Sequence, residues 1–234
     1  MIATMSVGSR YKRVAQEVAA QCQACDRDAS EVTVLAVSKT VGLEEVQEAI
    51  DAGACAFGEN RPDELMRKAQ AFPDVAWHFI GNIQSRRIKD IVAYADLIHS
   101  VYKPEHLAKI DAAAAEHNTC QSILLEVNVS GEESKSGLAP KDVFSVLKAS
   151  FAFSHLCVVG LMTMAPRNGA EVIDETFSGL RSLQQTLQAV CLDEGIDHPL
   201  PVLSMGMTED WPEAIAEGST IVRIGRAIFD DAFE

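Results

Sequence analysis

Short apolar runs rich in β-branched residues alternate with amphipathic stretches along nearly the whole chain. The first segment, from Ser9 to Cys25, spaces Val14, Val18 and Cys22 four residues apart, one face of a helix. The runs Val32–Val37, Ala54–Phe57, Ala76–Ile80, Leu97–Val101, Ile123–Val129, Leu156–Met162, Pro201–Met205 and Thr220–Ile224 then predict eight strands. Helical patterns fill the gaps at Leu43–Ala52, Pro62–Ala71, Gln84–Tyr94, Pro104–His117, Pro140–Ser150, Glu171–Glu194 and Glu209–Glu217. Gly53, Gly195 and Gly218 stand directly after three of them, where a chain leaving a helix often needs a left-handed residue.

The strands are apolar throughout rather than alternating, as a parallel sheet covered by helices requires. Eight βα units in 234 residues predict an α/β chain, a single (β/α)8 TIM barrel with an extra N-terminal helix. An open doubly wound sheet is the competitor, weakened because no GxGxxG follows any strand. With no linker or composition break, residues 1–234 read as one domain, with the helix over about 9–25 and the barrel over about 32–229.

Charge narrows the partners. The chain carries 34 Asp+Glu against 20 Lys+Arg, a formal net charge of −14. That excess argues against coating nucleic acid or an anionic membrane, both of which need a basic face. No run approaches the roughly 18 apolar residues of a spanning helix, and the start Met1-Ile2-Ala3-Thr4-Met5-Ser6 lacks a signal peptide's basic and apolar regions. A cytoplasmic monomer is the expectation. Of six cysteines, five fall inside expected helices or strands, as small buried apolar side chains do. Cys22 and Cys25 have CxxC spacing, but no second pair or nearby His completes a metal site.

In a barrel of this kind the chemistry sits at the C-terminal ends of the strands. Those ends carry Ser38-Lys39-Thr40, Gly58-Glu59-Asn60-Arg61, Gly81-Asn82, Asn128-Val129-Ser130, Thr163, Ser204-Met205-Gly206 and Arg223-Ile224-Gly225-Arg226. His78 stands on strand three and Tyr102 just past strand four, where packing is the expected role for the tyrosine. Lys39 follows a buried strand. A partly desolvated amine there becomes a nucleophile toward an aldehyde, and a lysine that has snorkelled to water is the competing reading. Barrel enzymes often hold phosphate at the loops after strands seven and eight, which singles out Ser204, Gly206, Gly225 and Arg226, with Thr208 as cap of the next helix.

A Schiff-base lysine facing a phosphate site suggests either pyridoxal 5′-phosphate (PLP) held on Lys39 or a class I aldolase. Arg223 suits PLP, since an arginine beside the pyridine nitrogen keeps it unprotonated. An aldolase needs carboxylates for proton transfer, and the strand ends offer Glu59 and little else.

The sequence resembles the pyridoxal phosphate homeostasis proteins, relatives of the barrel half of bacterial alanine racemase. The likeness runs from about Val32 to Phe229. It rests on Ala36-Val37-Ser38-Lys39-Thr40, Phe57-Gly58-Glu59-Asn60, Trp77-His78-Phe79-Ile80-Gly81-Asn82-Ile83-Gln84, Ser134-Lys135-Ser136-Gly137, Ser204-Met205-Gly206-Met207 and Gly218 to Gly225. It implies Lys39 as the PLP-bearing lysine, Arg223 at the pyridine nitrogen and Asn60 near the ring face. Around the phosphate it implies Ser204, Gly206, Gly225 and Arg226. The implied role is PLP homeostasis without a turnover reaction, with apo PLP enzymes as possible recipients.

The resemblance also implies that Lys135 takes part in handling PLP, against the plain reading of a solvated loop charge. The chain departs from the family at Arg86-Arg87, where Asn-Lys is usual, and at Arg226, where a small hydroxyl residue is common. An amino-acid racemase is the alternative. It needs a second acid–base group, which the related racemases take from a further C-terminal domain, and the chain ends at Glu234, ten residues after Ile224.

Overall fold

The computed structural model describes residues 5–132, 134–166 and 169–233. Strands β1 (Thr33–Val37), β2 (Ala56–Glu59), β3 (Ala76–Phe79), β4 (Leu97–Val101), β5 (Gln121–Glu126), β6 (Leu156–Met162), β7 (Val202–Ser204) and β8 (Ile221–Ile224) close into a barrel in chain order. Every neighbouring pair is parallel, including β1 with β8. The TIM-barrel architecture is the one the sequence pattern predicts.

The strands are largely buried on both faces, which is why they are mainly apolar, with buried polar exceptions such as His78, His99, Glu126 and Arg223. Leu35, Ala56, Leu97, Leu124, Met162 and Ile221 form a cluster of their own inside the barrel. Their chain neighbours, such as Ala36, Phe57, Ile98, Ile123 and Leu161, belong to the larger cluster beneath the helices. This alternation follows from the two-residue period of a strand. At Gly160 the approach of β6 to β7 leaves no room for a side chain, since a Cβ there would lie 1.9 Å from the Val202 carbonyl oxygen.

The outer layer comprises α2 (Leu43–Asp51), α3 (Pro62–Ala71), α4 (Ile88–Val92), α5 (Glu105–Glu116), α6 (Val143–Ser150), α7 (Ala170–Asp193), α8 (Trp211–Ala216) and α9 (Arg226–Phe229). Helix α1 (Val7–Ala24) precedes them, burying Val7, Tyr11, Val14, Val18 and Cys22 on one face against α2, α8 and α9. Its Arg10 is also buried and donates to the Ile228 carbonyl at 2.7 Å, tying α1 to α9.

Several boundaries move from those expected. The stretches at 84–94 and 140–150 each open with a single 3-10 turn, Ser85–Arg87 and Pro140–Asp142. Strand five lies earlier than expected, because after Glu126 the chain keeps only the Val127–Leu138 bridge. Two cysteines, Cys22 and Cys191, are buried; Cys55 and Cys120 are exposed because they precede β2 and β5 outside the barrel wall. Among the described residues, no helix is long and apolar enough to cross a membrane.

Candidate functional site

Strand alternation decides which side chains reach the mouth. Counting in twos from lumen-facing Leu35, Ala56 and Ile221 leads to Lys39, Asn60 and Arg223. All three line one pocket of about 640 Å³ at the C-terminal ends of the strands, within the usual range of small-molecule sites, about 300–1,000 Å³. Asn82 joins them after β3. An apolar wall of Met162, Met164, Ala165, Pro166 and Ile173 comes from β6 and the start of α7. Thr208, Glu209, Asp210, Gly225 and Arg226 close the rim from the loops after β7 and β8.

Five of the seven residues selected from sequence therefore share the pocket: Lys39, Asn60, Arg223, Gly225 and Arg226. Ser204 and Gly206 do not line it. Gly206 has φ +91°, and a Cβ there would come within 2.6 Å of the Ala214 Cβ, so its glycine serves a turn packed on α8. Thr208, expected to cap that helix, lines the pocket instead. Helix α8 starts later, at Trp211, with Pro212 in its first turn and Asp210 accepting the Met207 N–H.

Lys39 is exposed, in the turn after β1, and has no hydrogen bond or ion pair with the other described residues. Of the two readings of Lys39, its exposure matches the lysine that reaches water rather than the desolvated amine. The strand ends at Val37, and the turn lifts Lys39 to the open side of the pocket.

The floor is a buried polar network. Arg223, 6% exposed, donates from Nη1 to the carbonyl and hydroxyl oxygens of Ser204, both at 2.8 Å, and from Nη2 to the Thr163 carbonyl at 3.0 Å. Ser204 Oγ lies 2.9 Å from His99 Nδ1, and His99 Nε2 lies 3.0 Å from His78 Nδ1. A guanidinium only donates, so the Ser204 hydroxyl accepts from Arg223 and passes its own proton toward His99 Nδ1. His99 then carries its hydrogen on Nε2 and donates to His78.

Burial keeps both imidazoles neutral. It lowers the His78 pKa to about 4, against a smaller opposing pull from Asp96. His99 is held well below the usual range by burial first, then by His78 and Arg223. Burial also lowers Arg223, to about 10, opposed by Asp210 and Glu126, so it remains a cation. Glu126 is pushed up to about 7 by burial, with Arg223 pulling it back. Neither His99 nor Glu126 stood out in the sequence. The available signal was their place two residues after lumen-facing Leu97 and Leu124.

The remaining candidates are held by other contacts or lie outside the pocket. Glu59 is fully buried on the helix side of β2, bonded to Ser38 and Lys68. Arg226 is at the rim but its guanidinium is already paired with Glu209, and it lies 5.5 Å from the Phe233 ring centre. Tyr102 packs on the core, as expected, and donates its hydroxyl to Asn82 Oδ1 at 3.1 Å. Lys135 and Arg86 do not line the pocket, nor does Arg87, whose pKa is raised by its bonds to Asp63 and Asp90.

The family described as alanine racemase, N-terminal domain, matches residues 15–232. The pyridoxal phosphate homeostasis protein of Aquifex aeolicus is 35% identical over 230 residues, covering 97% of this chain and 99% of its own. The structure of PipY from Synechococcus elongatus with PLP bound is 30% identical, with TM-score 0.79, over 91% of this chain and 99% of that one. An alanine racemase of Clostridium difficile shares the fold alone, at 13% identity and TM-score 0.71, with 58% of its chain covered. The barrel thus has full-length counterparts, and the chain belongs to the alanine racemase N-terminal domain family and, within it, to the pyridoxal phosphate homeostasis proteins.

Proposed function

We propose that this protein binds PLP in the mouth pocket, holds it on the Lys39 amine, and serves PLP homeostasis by retaining and releasing it rather than by turning over a substrate. The observation that carries this reading is the sharing of one pocket by a free primary amine and a buried guanidinium, Lys39 and Arg223. The donor set fits the cofactor's three functional groups. PLP supplies an aldehyde that condenses reversibly with a primary amine, a pyridine nitrogen and a phosphate.

Lys39 offers the amine. Arg223 is the fixed cation at the floor, aimed by Ser204 and the Thr163 carbonyl, and is suited to face the ring nitrogen. Asn60 borders the ring. Thr208, Gly225 and Arg226 surround the phosphate, where a Cβ on Gly225 would stand 3.2 Å from the Val37 carbonyl oxygen. Ser204 acts from the floor beneath the pocket, through Arg223. Tyr102, the tyrosine at a strand end, is bonded to Asn82, which favours retention over a two-base racemisation.

Incubation with PLP followed by borohydride and peptide mass analysis tests the reading. The expected result is a yellow protein with a pyridoxyl group on Lys39, lost in Lys39→Ala. A colourless protein without that adduct refutes it. Alanine racemisation above the rate of free PLP, abolished in Lys39→Ala, would establish turnover instead.

A further inference from the structure

Directly beneath the mouth, on the helix side of the barrel wall, lies an ion pair that the proposed function does not use. Lys68 on α3 and Glu59 at the end of β2 are both fully buried, with Nζ 2.5 Å from Glu59 Oε1. The same Nζ donates to the Ser38 carbonyl at 2.8 Å, and the Ser38 hydroxyl donates to Glu59 Oε1, also at 2.8 Å. Ser38 is itself fully buried. Its N–H goes to the Gly58 carbonyl, and its carbonyl also accepts the Val41 N–H that closes the turn.

The placement follows from strand alternation. Ser38 and Glu59 face outward toward α3, and each immediately precedes a residue that faces the pocket: Lys39 after Ser38, Asn60 after Glu59. One buried pair therefore anchors the backbone beside two pocket residues at once. Lys39 has no described partner of its own, so the placement of its amine depends on how firmly the preceding residue is held.

Stability is a weak explanation for the pair. Burying two charges costs several kcal/mol of solvation per ion, and neutral replacements of similar shape are often no less stable. A function in geometry accounts for it better. We infer that Lys68 and Glu59 are positioning residues, fixing the Ser38–Lys39 turn and Asn60 so that the Lys39 amine meets an aldehyde ligand in the pocket. The inference rests on the proposed role of Lys39.

The test uses the double variant Glu59→Gln/Lys68→Met, which removes both charges and nearly preserves shape. Three measurements apply: thermal midpoint, hydrogen exchange of residues 38–41 in the ligand-free protein, and the rate of borohydride-trappable PLP attachment to Lys39. The double variant is expected to melt within a few degrees of the parent. The 38–41 segment should exchange about tenfold faster or more, and attachment should slow about tenfold or more, the order expected when a reacting group loses its fixed placement.

Unchanged exchange and attachment rates in a folded double variant overturn the inference. If the double variant does not fold, Ser38→Ala decides by the same criteria. It removes only the hydroxyl bond to Glu59, and a smaller rise in the exchange rate with a smaller fall in the attachment rate is expected. The parent protein separates the two ideas: no adduct at Lys39 there refutes the role of Lys39, whereas a parent adduct with an unaffected variant refutes only the positioning role.

Discussion

Glu126→Gln isolates the electrostatics of the barrel floor. Glu126 is 3% exposed, with its pKa near 7 in the folded chain against about 4.3 when unfolded. Between those values the folded protein keeps a proton that the unfolded chain has released. Its contribution to stability is therefore complete below the unfolded pKa and is lost as pH rises through about 7. At about 1.4 kcal/mol per pH unit the loss reaches about 3 kcal/mol by pH 7.

His78 acts oppositely. Its folded pKa of about 4 lies below the unfolded value, so its contribution is present above about 6.5 and lost as pH falls toward 4. In the native protein the two slopes largely cancel between pH 4.5 and 6.5, leaving that of His99, which has the same sign as His78. Glutamine mimics the protonated carboxyl, so Glu126→Gln removes only the opposing slope. Urea unfolding of the ligand-free protein with reductant, at pH 5, 6 and 7, should show the variant gaining on the parent by about 1.4 kcal/mol per pH unit. Parallel curves across that range would refute a neutral, proton-bearing Glu126 in the folded state.

Two further outcomes follow from the same geometry. Arg223→Gln removes the fixed cation while keeping an amide donor for Ser204 or Thr163. In the PLP-loaded protein, the pH at which the visible band titrates should rise by about one unit or more, and an identical spectrum over pH 5–9 would place Arg223 away from the ring nitrogen. Glu209→Gln releases Arg226 at an exposed rim, so stability should change by no more than about 0.5 kcal/mol. PLP affinity should improve about two- to fivefold in low salt and converge with the parent near 0.5 M salt, whereas equal affinities in low salt would show that Arg226 does not meet the phosphate.

The barrel was legible because strands buried on both faces must be mainly apolar, and eight such runs punctuated by helices fit few architectures. Lys39, Asn60 and Arg223 could be found because strand ends and the two-residue period together define the mouth. His99, Glu126 and Lys68 escaped notice because their partners come from other strands or a helix. The chain separation from His99 to Ser204 is 105 residues, and spacing cannot express a bond across a barrel. Ser204 was drawn toward the phosphate by its place after an apolar run. Its lumen-facing hydroxyl instead meets the guanidinium of Arg223 before it can meet a ligand. Cys55 misled for a related reason, since it sits just before β2, where the chain is still outside the wall.

The charge distribution is also changed by the structure. Sequence alone suggests an acidic shell around a basic mouth, but the basic residue at the rim, Arg226, is matched by Glu209. The positive charge that is fixed in direction lies at the floor, where Arg223 is held by Ser204 and Thr163 and its neighbours His78 and His99 are neutral. Of the two acids acting on it, Glu126 is largely protonated below about pH 7, leaving Asp210 as the balancing carboxylate. Lys39, by contrast, is exposed and carried on a turn. Under the proposed function, in which a ligand is held and later released, this arrangement would separate two tasks: a buried cation to set where the ring lies, and an accessible amine to make a bond that water or another amine can reach and reverse.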